Sequence, residues 1–166
     1  FNVAIGFEAG ENVTTGTLNT IVGGLAADAL TTGNNNVAVG YQTLGAETQG
    51  DRNVAIGYEA LRAQNNTSST DVYNTAVGYA AGTAVTTGQY NTILGALAGD
   101  AFTTGSRNVA VGMGALSAED TGGKNVAVGW YSLLNQSYDG DAHNVAMGYE
   151  SGKQITTGTQ NTLIGG

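Results

Sequence analysis

Asp139, Gly140 and Asp141, in the string SYDGDAH, carry a fragment of the spacing with which loops bind calcium. A complete loop needs further oxygen ligands and a downstream glutamate, and neither follows, so a solvated loop accounts for these residues. His143 is the only histidine and there is no cysteine, which excludes a His-based zinc site, thiolate ligation and disulfides. Glu8, Glu59 and Glu150 recur at one place in a repeating pattern, and Asp28 and Asp100 at another. A glycan-cleaving enzyme sets one pair of carboxylates across one cleft, whereas acids that return with every repeat line a solvated face. No GxxxxGK string surrounds Lys124 or Lys153, so the glycines are not a phosphate loop. No catalytic constellation emerges, and no metal or cofactor is expected. The residues left with chemistry to offer are aromatic. Trp130 and Tyr131 adjoin an insertion at 134–142 that holds Tyr138. Insertions on a repeat protein gather on one face and carry recognition, making Trp130, Tyr131 and Tyr138 the candidate glycan contacts.

Composition narrows the scaffold that must position them. The 166 residues include 27 Gly and no Pro, with 41% hydrophobic and 11% charged residues. Disordered chains are charge-rich and aliphatic-poor, and Gly does not fall at every third residue as collagen requires, so an ordered chain with small side chains is expected. Thirteen acidic against five basic residues give a net charge of −8. That balance argues against a nucleic-acid partner and against an anionic membrane surface. Apolar runs are too short to span a bilayer.

The organisation is a repeat. An asparagine opens each unit at Asn2, Asn19, Asn36, Asn53, Asn74, Asn91, Asn108, Asn125, Asn144 and Asn161, with steps of 17, 17, 17, 21, 17, 17, 17, 19 and 17 residues. After it come Val or Thr, a small or aliphatic residue, an aliphatic, and always Gly, from Gly6 to Gly165. Val3 and Ile5 alternate with Ala4 and Gly6, the period-two pattern of a strand with unlike faces. Units close on turns such as TTG (14–16, 31–33, 86–88), where Gly tolerates positive φ. A strand and a turn every 17 residues describe an all-β parallel solenoid, one coil per unit and one repeat segment over 1–166. YEALRAQ (58–64) is locally helix-forming, but it is confined between Gly57 and the next turn and is too short to stand alone. The chain opens and stops mid-pattern, which reads as a slice of a longer repetitive protein.

A longer period sits above the 17. The extended units at Asn53 and Asn125 each come fourth in a set, and GLAADALTTG (24–33) matches ALAGDAFTTG (96–105). Ile21, Ile93 and Leu163 replace the usual Ala at the third position in units that carry Gly24, Ala96 and Gly166 at the sixth, where most others have Phe, Tyr or Trp. Close packing suggests that the large residue gained offsets the one lost. The Val and Ile pair is expected inside and the bare Ala and Gly face free for close approach, either within the roll or between subunits. Stacked asparagines are expected to form an amide ladder.

The units Asn-Val-Ala-Ile-Gly and NTAVGY–A–TTG resemble the YadA-like head repeats of trimeric autotransporter adhesins and related arrays of phage tail fibres and bacterial surface proteins. The likeness covers the whole chain. It implies a left-handed β-roll, commonly trimeric, serving as stalk or head outside a cell or on a virion. The expected function is a rigid structural and adhesive fibre segment that presents a receptor-binding tip, homo-oligomeric through its Ala/Gly faces and able to meet a host glycan or receptor. The alternatives are a carbohydrate-binding module using Trp130, Tyr131 and the loops at 63–72 and 134–142, and a glycan depolymerase.

Overall fold

The structure, a computed structural model, describes residues 1–166. Ten three-residue strands form one sheet: β1 (Val3–Ile5), β2 (Thr20–Val22), β3 (Val37–Val39), β5 (Val54–Ile56), β7 (Thr75–Val77), β8 (Thr92–Leu94), β9 (Val109–Val111), β10 (Val126–Val128), β11 (Val145–Met147) and β12 (Thr162–Ile164). Two further strands, β4 (Gly50–Asp51) and β6 (Thr70–Asp71), pair beside the first insertion. Every pairing is parallel and joins the same position of successive coils, as in Val37↔Val54, Ala38↔Ala55 and Val39↔Ile56. The protein is therefore a β-solenoid of ten coils, one for each opening asparagine.

No segment is helical. Residues 58–64 form turns, because Glu59 and Leu61 sit at φ 53° and 51°, and a left-handed residue every second position interrupts any α-helical run. Twenty-two non-glycine residues adopt such positive φ values, each at a cost of about 1 kcal/mol. They recur at the seventh, ninth and last positions of the coils, and the hydrogen bonds to the neighbouring coils hold them there. Leu61 N–H, for example, donates to the Ala81 carbonyl at 3.1 Å.

The glycine that closes each strand meets its own copy in the next coil. Gly40 has φ 136°, and a Cβ built on it would lie 2.7 Å from the carbonyl carbon of Gly57. Both conditions exclude any other residue, which accounts for the unbroken column from Gly6 to Gly165. The expected amide-to-amide ladder forms at three steps of the asparagine column, from Asn19 to Asn2, Asn53 to Asn36 and Asn161 to Asn144 at 3.0–3.3 Å, and a side-chain-to-backbone bond runs through the whole column. Asn36 Oδ1 accepts the backbone N–H of Asn53 at 2.9 Å, while Asn36 Nδ2 donates to the carbonyl of Gly50 in its own coil at 2.9 Å. One side chain thus ties a coil to its successor and closes its own ring.

Burial reverses the expected strand faces. Ala38, Ala55, Ala76, Ala110, Ala127 and Ala146 are fully buried, whereas Ile56, Val77 and Met147 remain exposed. The coil is narrow, and the third-position residue shares its interior with the ninth and twelfth, so alanine fits inward and the larger pair turns outward. The Ala face is therefore not free to meet another subunit.

The interior also explains the sets of four. Reading the third, ninth and twelfth positions, the first coil holds Ala4, Gly10 and Val13, and the second Ile21, Ala27 and Leu30. The third holds Ala38, Leu44 and Glu47, and the fourth Ala55, Leu61 and Gln64. The next four coils repeat the cycle with Ala76, Gly82 and Val85 first. A Cβ on Gly10 would stand 2.8 Å from Ile21 Cδ1, and one on Gly82 the same distance from Ile93 Cδ1. The partner that makes room for Ile21 is thus Gly10 inside the preceding coil. Gly24 lies outside the core and plays no part. Ala27 with Leu30 becomes Gly99 with Phe102 in the second set, and a Cβ on Gly99 would meet Phe102 Cε2 at 2.6 Å. Close packing balances volume across the coil interior.

Candidate functional site

The outward strand positions form one column along the surface. All ten fourth-position residues are aliphatic or Met, from Ile5 through Val77 to Ile164, and they stand on one continuous parallel sheet about 43 Å long at the usual strand spacing. Val77 keeps 36% of its surface exposed in mid-stack and Met147 47%. Isolated exposed aliphatics are ordinary, but a contiguous apolar strip of this length is a candidate interaction surface.

The sixth-position rings border that strip. Tyr41, Tyr58 and Tyr79 stack at centroid distances of 5.5 and 5.4 Å, so the ladder covers its ring faces and presents edges. A hydrogen bond to Glu59 raises the Tyr58 hydroxyl above its ordinary pKa. A second column, Tyr73 over Tyr90 at 5.8 Å, is flanked by Arg52 and Arg107, each over a ring.

Trp130 and Tyr131 do come together, at 4.0 Å between rings, and Tyr149 stacks on Trp130 at 4.9 Å. Lys153 stands 5.5 Å over the Tyr131 ring and bonds Glu150 at 2.8 Å, a contact that raises the lysine pKa. Sugars stack on ring faces, and neighbours already compete for those of Trp130. Tyr138 belongs elsewhere in the coil, its ring against Gly140. The three candidate glycan contacts are therefore one touching pair and one separate residue. The loop acids are also divided. Asp139 accepts from Thr121 Oγ1 at 3.1 Å, and Asp141 pairs with Lys124 at 2.7 Å, which lowers its pKa. No group of three or more His, Cys, Asp or Glu side chains is placed to hold a metal ion.

Two carboxylates that the sequence reading passed over are wholly buried: Glu47 and Glu119. They occupy the twelfth position, where other coils carry Val13, Leu30, Val85, Phe102 and Ile155, and aligning that column would have exposed them as polar residues in a core register. Each precedes an extended coil. At these places the carboxylate collects backbone N–H groups of its own coil and of the extended one. Glu47 Oε1 accepts from the N–H groups of Thr48, Gln49, Gly50 and Asn66 at 2.8–3.1 Å. Its Oε2 accepts from Gln64 Nε2 at 2.8 Å and Asn66 Nδ2 at 2.9 Å. Gln64 Oε1 in turn accepts from Asn74 Nδ2 at 2.8 Å, so the relay crosses three coils.

Glu119 repeats this arrangement incompletely. Gly122 N–H donates to its Oε1 at 2.9 Å, but Oε2 and the Nε2 of Gln136 have no partner. Tyr138 stands where the first set has Asn66, so the side-chain amide is missing. Burial raises the Glu119 pKa against the opposing backbone N–H groups of Gly122, Tyr138 and Asp120. A raised acid pKa stabilises the fold fully below the ordinary carboxylate value, and this contribution is lost as pH rises through the raised one. Tyr138→Asn supplies the absent donor. It should stabilise the protein by about 1 kcal/mol at neutral pH and flatten the loss of stability as pH rises above the ordinary carboxylate range. Urea melts across that range read both effects; an unchanged pH profile would show that the introduced amide does not reach Glu119.

The fold and this surface define the class: a parallel β-solenoid with an outward apolar strand column and a polar relay inside. No protein-family model, curated protein or solved structure matches the chain. No helix is long and apolar enough to cross a membrane.

Proposed function

We propose that the chain is a structural fibre segment, a rigid spacer that works outside a cell or on a virion and self-associates along its strand face, with three copies as the favoured assembly. The observation that carries this reading is the uninterrupted parallel stack from β1 to β12, in which every coil is bonded to its neighbours above and below. Continuous ladders resist bending and leave no local unit that opens cheaply. The reading supplies a use for the outward aliphatic column, which a second and third copy of this chain would cover in place of water. This replaces the Ala/Gly faces as the contact surface. Such a segment holds a receptor-binding tip at a distance, with no chemistry of its own.

Mass in solution and negative-stain images test the proposal. The wild type should run as a trimer and appear as a straight rod. Val77→Lys, which places a charge in mid-face without touching the coil interior, should shift the mass towards monomer while circular dichroism stays unchanged. A monodisperse wild-type monomer would defeat the assembly, and a bent or collapsed particle would defeat the spacer.

A further inference from the structure

The two sets of four coils are near copies inside, so a place where they differ outside has no origin in the core. One such place lies on the turn-built side of the coil, away from the strand face. A hollow of about 330 Å³ opens there between Asp28, Gln42, Gly45, Ala46, Arg62 and Ala63. The second set closes the corresponding surface. Ser117 replaces Gly45 and its hydroxyl donates to Asp100, the counterpart of Asp28. Leu134 replaces Arg62, and the Tyr131 ring lies over Gly114, the counterpart of Gln42.

In the first set the same positions leave polar groups ready for a ligand. A Cβ on Gly45 would lie 3.6 Å from Asp28 Oδ1, so the carboxylate borders the hollow directly. Only the backbone carbonyl of Asp28 is engaged, by Asn12 Nδ2 at 2.7 Å, while the carboxylate has no partner. Arg62 stands two coils further on, roughly 10 Å along the stack, half exposed and held loosely by Glu59 at 3.4 Å. Between them Gln42 offers an amide over a floor of Gly45, Ala46 and Ala63. A carboxylate that accepts, an amide that does both and a guanidinium that donates suit neighbouring hydroxyls on a small ring. The volume matches the lower end of small-molecule sites. The net charge of −8 disfavours an anion.

We propose that the hollow at Gly45 binds a neutral sugar, its hydroxyls donating to Asp28 and accepting from Gln42 and Arg62. The site is separate from the Trp130–Tyr131 pair and from the strand face, so it does not depend on the assembly proposed above.

The test is an NMR titration of the assembled protein with methyl glycosides of glucose, galactose, mannose and N-acetylglucosamine, and with glucuronate for comparison. Saturable shifts of the Gly45, Ala46 and Ala63 amides by at least one neutral glycoside are expected. Gly45→Ser with Arg62→Leu copies residues already standing in the second set, so the fold should persist by circular dichroism while affinity falls at least ten-fold. Trp130→Ala should leave the shifts in place. The proposal is overturned by silence with all four neutral glycosides, by tighter binding of glucuronate, by shifts centred on Trp130, or by undiminished binding in the double variant.

Discussion

Gly40→Ala should destabilise the protein by roughly 4 kcal/mol, one of the two largest single-residue effects expected. Two costs combine. At φ 136° an alanine enters a region that L side chains rarely occupy, and its methyl group would press into the backbone carbonyl of Gly57. Neither neighbour can yield, because Gly57 meets Gly78 in the same way and the sheet is in register throughout. Gly45→Ala is the matched control. Gly45 has no positive φ, and its nearest atom is the Gln42 carbonyl oxygen at 3.3 Å, so about 1 kcal/mol or less is expected in either direction. Denaturant midpoints for the two variants, with amide exchange across β3 and β5, measure the contrast. Equal midpoints would mean that the glycine column is not in contact.

Glu47→Ala should cost about 4 kcal/mol, because it strands the backbone N–H groups of Thr48, Gly50 and Asn66 and the side-chain amides of Gln64 and Asn66 in a buried site. Glu119→Gln should be much milder. The Oε2 that it replaces has no donor to lose, and the new amide keeps an oxygen for Gly122 N–H. Thermal melts of the two variants separate the sites, and the same loss in both would mean that Asn66 contributes nothing at Glu47. The asymmetry also assigns the relay a purpose. Glu47 caps backbone where an insertion leaves the coil, which lets the solenoid carry the 63–72 loop without losing its stack.

Some of this was legible in the residues. Regular asparagine and glycine spacing is a consequence of stacking, since each coil must place the same groups above its predecessor. The spacing alone therefore announced the strand, the coil length and the solenoid. The glycine column was visible for the same reason, because a residue that meets its own copy cannot vary independently. Trp130 and Tyr131 were legible as a pair, being adjacent in sequence and directed to a common side. Tyr138 was grouped with them only because its loop is near in sequence, and the coil carries it to a different corner.

Other features could be settled only by the closed coil. Alternation in Val3, Ala4, Ile5 and Gly6 announces two faces and is silent on which is inside. That depends on the distance across the coil to Leu44 or Leu61, a length with no local signature. The same holds for the partner of Ile21, which is Gly10 eleven residues earlier and one coil away, and for the burial of Glu47 and Glu119, which look like surface acids until the twelfth position is known to point inward. Sequence thus determined the period and the ladder, because both repeat along the chain. Tertiary structure decided inside from outside, because that is a property of the ring and not of any stretch of it.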